Sequence, residues 1–512
     1  MRYIQGQDRN QISLFPVTLD EAISNDNQVR DIDAFVDGLN IDQMGFKCIK
    51  KEERKADGRP SYQIADLLKL YIYGYLNKTR SSRELETETH RNIELMWLLR
   101  CLTPDHSTIS NFRKDNPEAI KKVFHATVQT ALNLNLIGGT IIAGDSVKLR
   151  AQNSKKNNYN QDKIDRHIEY IDNKLAEHNA ALEQADEPQK EEIKKQIIKH
   201  QTRKEGYQEL EKQLKATSEA QISTSDTESK QLPIRQGITE VAYSTQTIND
   251  AKSKMILDFE VTNRIDNNAL SGMVQRAINI TGNTNFWALF DKGYHTGAEI
   301  RKCHELGVLN TLISIPKSSN SSTPDPKYHN AYFTYLIDND HYICPQNQIL
   351  TSNGTWYDGK AEPFKVYRST ACKECEVRAK CTASPRGRAI QRNESALNVL
   401  RNKENMEQNM EIYKQRQAIV EHPFGTIKRN WGFDYIMTKQ GKQRASADVG
   451  LILIAYNLRR LLTLTKGKLR EALNLLLIHI LQRILSQNKP SSKNMTVFKH
   501  SFIKNNKPLL AA

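Results

Sequence analysis

The chain has 512 residues and a mass of 58.7 kDa, a length that predicts two to four domains rather than one compact core. Hydrophobic residues make up 38% and charged residues 26%, and the longest apolar runs fall far below the roughly 18 residues of a membrane span. A single small binding module and a membrane protein are therefore excluded. The N-terminus shows no secretory signal pattern, so we expect a soluble, cytoplasmic protein. Seven cysteines argue against a disulfide scaffold.

The charge is concentrated near the C-terminus. The net charge is +15, and residues 401–512 carry 20 basic and 7 acidic side chains, an excess of 13. A surface that binds a polyanion such as nucleic acid would have this balance, because each neutralised phosphate releases bound counterions. A solvated basic surface is the other interpretation. The charge alone favours neither.

Residues 61–135 have the pattern of short helices joined by short turns. Apolar side chains recur at helical spacing from Ala65 to Leu76, and Ser107 is a candidate N-cap for a later helix. This pattern fits a helix-turn-helix domain that binds DNA, or an ordinary helical domain with solvated charges. In the first case, four basic side chains are candidate phosphate contacts: Arg80, Arg83, Arg113 and Lys114.

Strand and helix patterns alternate from residue 139 to 315, which predicts an α/β sheet. Two apolar strands end on acids, at Asp145 and at Asp291. Sheets of this class place their chemistry at the carboxyl ends of strands. Between the first and second strands, apolar residues at heptad spacing predict an antiparallel helical hairpin over 160–217, to which we assign no catalytic role.

Residues 317–405 interrupt the α/β pattern and carry four cysteines. Cys344-Pro is followed by a Cys-x2-Cys-x5-Cys run formed by Cys372, Cys375 and Cys381. Two thiolates two residues apart can bind one ion from a tight turn, so the set predicts a structural Zn²⁺ site. The alternative is four reduced cysteines with no ligand.

Residues 406–485 are helical in pattern, and Glu421 is their most informative acid. Lys428 follows it by seven residues, which is two turns of an α-helix, so one face would present a metal ligand and a phosphate-binding cation. The final residues, 486–512, are basic and predict a disordered tail.

Asp145, Asp291 and Glu421 together have the composition of a two-metal phosphoryl-transfer site. Mg²⁺ takes oxygen ligands and usually draws only a few carboxylates from the protein. Two such ions, with Mn²⁺ as a substitute, would activate the nucleophile and stabilise the leaving oxygen of an in-line displacement. The expected cofactors are two Mg²⁺ ions and one structural Zn²⁺.

Three motifs occur in a fixed order: Ile142-Ala-Gly-Asp145-Ser, Asp291-Lys-Gly-Tyr294 and Ile419-Val-Glu421-His-Pro-Phe-Gly-Thr-Ile-Lys428. In this combination the chain resembles bacterial insertion-sequence transposases of the DDE class. The resemblance implies a ribonuclease H-like core whose acidic triad is Asp145, Asp291 and Glu421. It also implies cleavage of DNA at transposon ends and strand transfer.

Further expectations accompany the resemblance. Four residues near the triad are expected DNA contacts: Lys292, Tyr294, Lys428 and Arg429. The Arg416-x4-Glu421 spacing is one residue longer than in the broader family, so Tyr413 and Arg416 receive no role. Because a transposase pairs two DNA ends, we expect a homodimer in the DNA complex. We also expect the protein to associate with the nucleoid and not with a membrane.

The sequence thus divides into five regions: an N-terminal helical DNA-binding domain (1–135), the first part of the catalytic core with its hairpin (136–316), the cysteine-rich insertion (317–405), the C-terminal helices of the core (406–485) and the basic tail (486–512). Two other functions fit the same pattern. One is a DNA nuclease of the same fold, and the other is a non-catalytic DNA-binding protein descended from a transposase. Joining of cleaved ends to target DNA separates the transposase from the nuclease, and the intact acidic triad argues against the non-catalytic protein.

Overall fold

The computed structural model describes residues 18–47, 61–217, 219–235, 237–316, 323–359 and 362–487. The chain forms two compact units. The first combines the described residues up to 137 with those from 446 onward, and the second comprises residues 138–445. Residues 446–487 thus group with the N-terminal helices.

The helices of the described residues are α1 (Gln28–Asp37), α2 (Ile41–Met44), α3 (Ile64–Leu76), α4 (Ser82–Arg91), α5 (Ile93–Leu99), α6 (His106–Asp115), α7 (Pro117–Asn133), α8 (Gln161–Gln184), α9 (Glu187–Thr217), α10 (Leu270–Thr281), α11 (Gly297–Glu305), α12 (Arg378–Cys381), α13 (Ala396–Gln408), α14 (Met410–Phe424), α15 (Lys442–Leu464) and α16 (Leu469–Gln487). The strands are β1 (Ile141–Arg150), β2 (Asn158–Tyr159), β3 (Ile222–Ser223), β4 (Lys230–Arg235), β5 (Ile238–Asp250), β6 (Ile256–Thr262), β7 (Trp287–Phe290), β8 (Thr311–Ile313), β9 (Thr334–Leu336), β10 (His341–Ile343), β11 (Ile349–Ser352), β12 (Phe364–Arg368) and β13 (Ala389–Asn393).

The first unit is all helical where it is described, as the sequence predicts for residues 61–135. Its core is built on α3, whose Leu68, Tyr71, Ile72 and Tyr75 are almost completely buried. The cap of α6 differs from the prediction: Asp105, not Ser107, accepts the backbone N–H groups of the first turn. A carboxylate at this position also opposes the positive end of the helix dipole, which an uncharged serine would do less well.

The second unit is built on a mixed six-stranded sheet. Its strand order is β4-β5-β1-β7-β8, and β6 also pairs with β5. β5 is antiparallel to β1, β4 and β6, whereas β7 and β8 continue from β1 in parallel. The predicted alternation of strands and helices is confirmed, and the mixed sheet is compatible with a ribonuclease H-like core.

Two long helices occupy the range predicted for the helical hairpin. α8 and α9 are separated by two residues and run antiparallel, as three contacts between them show: the His167 and Tyr207 rings stack, Lys204 pairs with Asp172, and the rings of residues 178 and 200 lie 5.3 Å apart. The insertion that carries the cysteines contains an antiparallel sheet of order β13-β12-β11-β10-β9, which the sequence analysis does not predict. Its core includes the buried side chains of Leu350 and Tyr367.

Two further expectations concern the chain ends and the membrane. The predicted disordered tail falls almost entirely on residues 488–512, which lie outside the described residues. Among the helices that are described, none has both the length and the apolar composition needed to cross a membrane.

Candidate active site

Asp145 and Asp291 lie on adjacent parallel strands. β1 pairs with β7 in a register that places Ala143 opposite Leu289. Extending that register by two residues brings Asp145 level with Asp291, at the carboxyl end of β7. Asp291 directly follows the strand, and its Oδ1 accepts the backbone N–H of Gly293 at 2.9 Å. The predicted proximity of these two acids is therefore a feature of the sheet.

Asp145 is partly buried, with 28% of its side chain exposed, and a guanidinium faces it. Its Oδ1 accepts the backbone N–H of Ser146 at 2.8 Å, and its Oδ2 lies 3.2 Å from an Nη of Arg416. Burial raises the pKa of the Asp145 carboxyl above its ordinary value, although Arg416 acts in the opposite direction. The negative charge of Asp291 raises this pKa further. A cation placed between the two aspartates would remove both unfavourable effects.

A third acid, Asp266, lies near this pair and is missed by the sequence analysis. It begins a 3-10 turn after β6 and accepts a hydrogen bond from Gln246 Nε2 at 2.7 Å. Lys148 Nζ lies 3.2 Å from Asp266 Oδ2. The negative charge of Asp266 contributes to the raised pKa of Asp145. β6 runs parallel to β1, since both are antiparallel to β5. An acid four residues after β6 therefore falls at the same edge of the sheet, which is the signal that could have identified it.

Tyr294 is fully buried and does not contact DNA in this conformation, which contradicts its predicted role. Its hydroxyl donates to Gln246 Oε1, and the same amide donates to Asp266. Burial raises the pKa of Tyr294 well above its ordinary value, so the hydroxyl remains a donor. The tyrosine of the Asp-Lys-Gly-Tyr motif thus fixes the turn after β7. Lys292, in the same turn, is exposed.

Helix α14 packs on the face of the sheet that carries Asp145. Ile419 and Val420 are buried in a cluster with Ala143 and Leu289 of the two central strands. The Tyr413 hydroxyl donates to the Phe290 carbonyl oxygen at 3.3 Å. Tyr413 and Arg416, which have no predicted role, are therefore polar side chains that join this helix to the acid-bearing strands.

Glu421 lies on the same helix, but its side chain is exposed. Its Oε1 accepts a hydrogen bond from Gln417 Nε2 at 2.9 Å, one helical turn earlier. Within the described ranges, no three His, Cys, Asp or Glu side chains are arranged to hold a metal ion. The structure therefore brings Asp145 and Asp291 together and leaves Glu421 outside that pair.

The prediction that Glu421 and Lys428 share one face of an α-helix is wrong, although Lys428 does lie near the acid-bearing strand β1. The chain changes from α-helix to π-helix at Gly425–Asn430, and the wider turn of a π-helix breaks the seven-residue spacing. Lys428 Nζ donates to the Lys148 carbonyl oxygen on β1, at 3.2 Å. Arg429 is exposed. Lys428 thus lies beside the acid-bearing strand, through a different local geometry.

The four cysteines of the insertion line one cavity. The backbone N–H groups of Gln346 and Gln348 donate to Cys344 Sγ at 3.3 and 3.4 Å. Gly387 has φ +81°, and a Cβ there would overlap the Cβ of Cys372. The backbone therefore closes tightly around the thiols. Their positions do not form an assembled metal-ligand group.

Arg80 and Arg113 are in the core of the first unit, which contradicts their predicted contact with phosphates. Each is 4% exposed, and both pair with the fully buried Asp448, at 3.5 and 3.4 Å. Charged side chains in this surrounding balance one another and are not available to an external anion. Arg83 is exposed, and Lys114 is partly exposed beside Asp115.

Comparison with protein families gives two matches. Residues 343–462 match the family described as Transposase DDE domain, and residues 17–115 match the family described as Transposase domain (DUF772). The first range contains the cysteines and Glu421, whereas Asp145 and Asp291 lie between the two ranges. No curated protein matches the chain. The two family matches support an insertion-sequence transposase of the DDE class.

Proposed function

We propose that this protein is a metal-dependent transposase that binds the ends of its mobile element, cleaves DNA phosphodiesters and joins the 3′-OH ends to target DNA. The observation that carries the proposal is the pair of carboxylates on adjacent parallel strands, Asp145 and Asp291. Their mutual repulsion and the burial of Asp145 are costs that a bound cation would offset.

Asp145 and Asp291 offer the hard oxygen ligands that Mg²⁺ or Mn²⁺ prefers, so the donor set fits these ions. Two bound ions would supply an activated nucleophile and stabilisation of the leaving 3′ oxygen. Glu421 is the proposed third ligand. A single hydrogen bond from Gln417 holds its exposed side chain, so it can exchange partners at small cost.

The proposed DNA contacts are exposed or partly exposed cations outside the buried cores. Lys292 follows Asp291 directly, and Lys428 and Arg429 lie on the π-helical turn after α14. Arg83 and Lys114 are the corresponding residues of the helical unit, which we propose holds the element ends. Such side chains bind the phosphate backbone and neutralise its charge. Two ends would be held by a homodimer.

For the cysteine cavity we propose one structural Zn²⁺ bound by Cys344, Cys372, Cys375 and Cys381. The support is the convergence of four thiols on one cavity and the backbone N–H groups directed at Cys344. Thiolates are the preferred ligands of structural zinc, whereas carboxylates suit Mg²⁺, so the two sites would not compete for ions.

The test of the function is incubation of purified protein with labelled element ends and a plasmid in Mg²⁺ or Mn²⁺. A transposase yields labelled ends joined covalently to plasmid. Cleavage without joining would indicate a nuclease of the same fold, and binding without cleavage would indicate a non-catalytic DNA-binding protein. Either result overturns the proposal.

A further inference from the structure

Arg416 has one hydrogen-bonding group that its surroundings do not satisfy. Its Nη lies 3.2 Å from Asp145 Oδ2, and its side chain is 15% exposed. Its Nε is buried and has no acceptor among the described residues. A guanidinium presents donors in a fixed planar fork that suits a two-oxygen anion. In this structure the fork is used only in part.

The charges around the site are unevenly distributed. Asp145 has Arg416, and Asp266 has Lys148 at 3.2 Å. Asp291 accepts the N–H of Gly293, and no ion pair to it is found in the described part of the chain. A divalent cation entering beside Asp291 therefore meets one accessible carboxylate and a second that is already held by a guanidinium.

We infer that Arg416 is the resident counter-ion of Asp145 in the DNA-free protein and competes with the divalent cation for that carboxylate. The inference rests on the proposed function only in assigning the cation to Asp145. A DNA phosphate offers several anionic oxygens and would accept from both the Nη and the unsatisfied Nε of Arg416. Transfer of Arg416 from Asp145 to the phosphate releases the carboxylate for the metal ion.

This exchange makes metal binding and DNA binding cooperative. Bound DNA draws Arg416 away from Asp145 and so favours the metal ion, and a bound metal ion frees Arg416 for the phosphate. Such coupling is reciprocal. A protein free of DNA would bind its metal weakly, since Asp145 is already paired. Arg416 would thus be a positioning residue whose partner depends on whether DNA is bound.

The first test measures Mn²⁺ binding to the full chain without DNA by electron paramagnetic resonance. Arg416→Gln should bind Mn²⁺ about 5- to 150-fold more tightly than the wild type, the usual range for coupled ligands. Lys414→Gln is the matched control, because Lys414 lies on the same helix and pairs only with Glu411, at 2.6 Å, in the described chain. It should leave the Mn²⁺ affinity unchanged. Unchanged or weaker Mn²⁺ binding by folded Arg416→Gln would overturn the inference.

A double variant shows whether the gain acts through Asp145. Arg416→Gln combined with Asp145→Asn should bind Mn²⁺ as weakly as Asp145→Asn alone. Retention of the gain without Asp145 would show that Arg416 acts on another ligand, which would also contradict the inference. Thermal unfolding without metal gives an independent readout: Arg416→Gln should melt at a lower temperature, and Mn²⁺ should raise its melting temperature more than that of the wild type.

The second test measures the coupling itself at equilibrium. The affinity for a short DNA duplex is compared with and without Ca²⁺, which also takes oxygen ligands. Ca²⁺ should tighten DNA binding by the wild type and by Lys414→Gln, and should have little effect on Arg416→Gln. Equal Ca²⁺ effects in all three proteins would contradict the exchange. Because no joining of ends is measured, this outcome is distinguishable from failure of the proposed transposase activity.

Discussion

Tyr75 and Asp448 are 373 positions apart in the chain, and the Tyr75 hydroxyl donates to the Asp448 carboxylate at the buried centre of the first unit. Arg113 donates to the same tyrosine oxygen at 2.8 Å, and Arg80 and Arg113 both pair with Asp448. The N-terminal helices therefore share their polar core with α15, which lies more than 300 residues later in the chain.

The first prediction concerns this buried network. Asp448→Asn preserves size but leaves Arg80 and Arg113 buried without a negative charge, which should cost about 3 to 5 kcal/mol of the stability of the first unit. Amide hydrogen exchange of α3 reports that stability directly. Asp42→Asn, an exposed acid of the same unit, should change it by less than about 0.5 kcal/mol. Equal protection of α3 in both variants would mean that the network contributes little.

The second prediction concerns His304. Burial lowers its pKa from 6.5 to about 4. Asn398 Nδ2 donates to its Nδ1 at 2.9 Å, a bond that protonation of this nitrogen would break. The neutral imidazole therefore contributes stability that is complete above pH 6.5 and is lost as the pH falls toward 4, on the order of 3 kcal/mol.

His304→Gln removes this titration. The free energy of unfolding of the second unit, measured by urea denaturation, should then depend less on pH between 6.5 and 4 than in the wild type. His178→Gln, on the hairpin, should retain the wild-type dependence. The same pH dependence in His304→Gln and the wild type would show that His304 is not the group responsible.

The third prediction concerns Gly144, which precedes Asp145. A Cβ at this position would overlap the Phe290 ring, and Phe290 precedes Asp291. Gly144→Ala should therefore displace β7 relative to β1, destabilise the second unit by about 1 to 3 kcal/mol and reduce joining of DNA ends. DNA binding should persist. Gly272→Ala, where the nearest atom to a Cβ is 3.6 Å away, should leave joining intact. Full joining by Gly144→Ala would indicate that the spacing of the two acids tolerates movement.

The fourth prediction concerns the cysteine cavity. Protein purified under reducing conditions without chelators should contain about one equivalent of Zn²⁺, and Cys375→Ser should lower that content and destabilise the insertion. Elemental analysis measures the zinc content, and an unfolding experiment measures the stability of the insertion. Cys101→Ser, at an exposed cysteine of the first unit, should retain the full zinc content. Absence of zinc from the wild type would refute the proposed site.

Asp291 was predictable because it directly follows a strand, which is a local signal, whereas the expectation that a strand ends at Asp145 is wrong, since β1 continues to Arg150. The apolar runs before Asp145 and Asp291 identify two strands, and the order of the elements makes them parallel neighbours. The hairpin was predictable for the same reason, since its heptad spacing is continuous in sequence. These features depend on residues that are close together in the chain.

The predictions that failed concern residues whose interaction partners are distant in sequence. Nothing near Arg80 or Arg113 indicates that Asp448 neutralises them, so basic composition suggested an exposed surface. The burial of Tyr294 depends in the same way on Gln246, in another strand. The sheet of the insertion was missed because its strands are only three to five residues long and lack a sustained period. Asp266 lies four residues beyond β6, so no apolar run ends directly on it and its sequence gives no local signal.

The central claim is that Asp145 and Asp291 together hold the catalytic metal ions, and its most direct test is joining of labelled element ends to a plasmid in Mg²⁺. Asp145→Asn and Asp291→Asn each replace an anionic oxygen pair by an amide that binds Mg²⁺ poorly. Each variant should reduce joining to background while still binding the ends, and the double variant should be little worse because the residues act as one unit. Asp162→Asn, at an exposed acid on α8, should join ends at the wild-type level. Efficient joining by either active-site variant would contradict the account and place the metal ligands elsewhere.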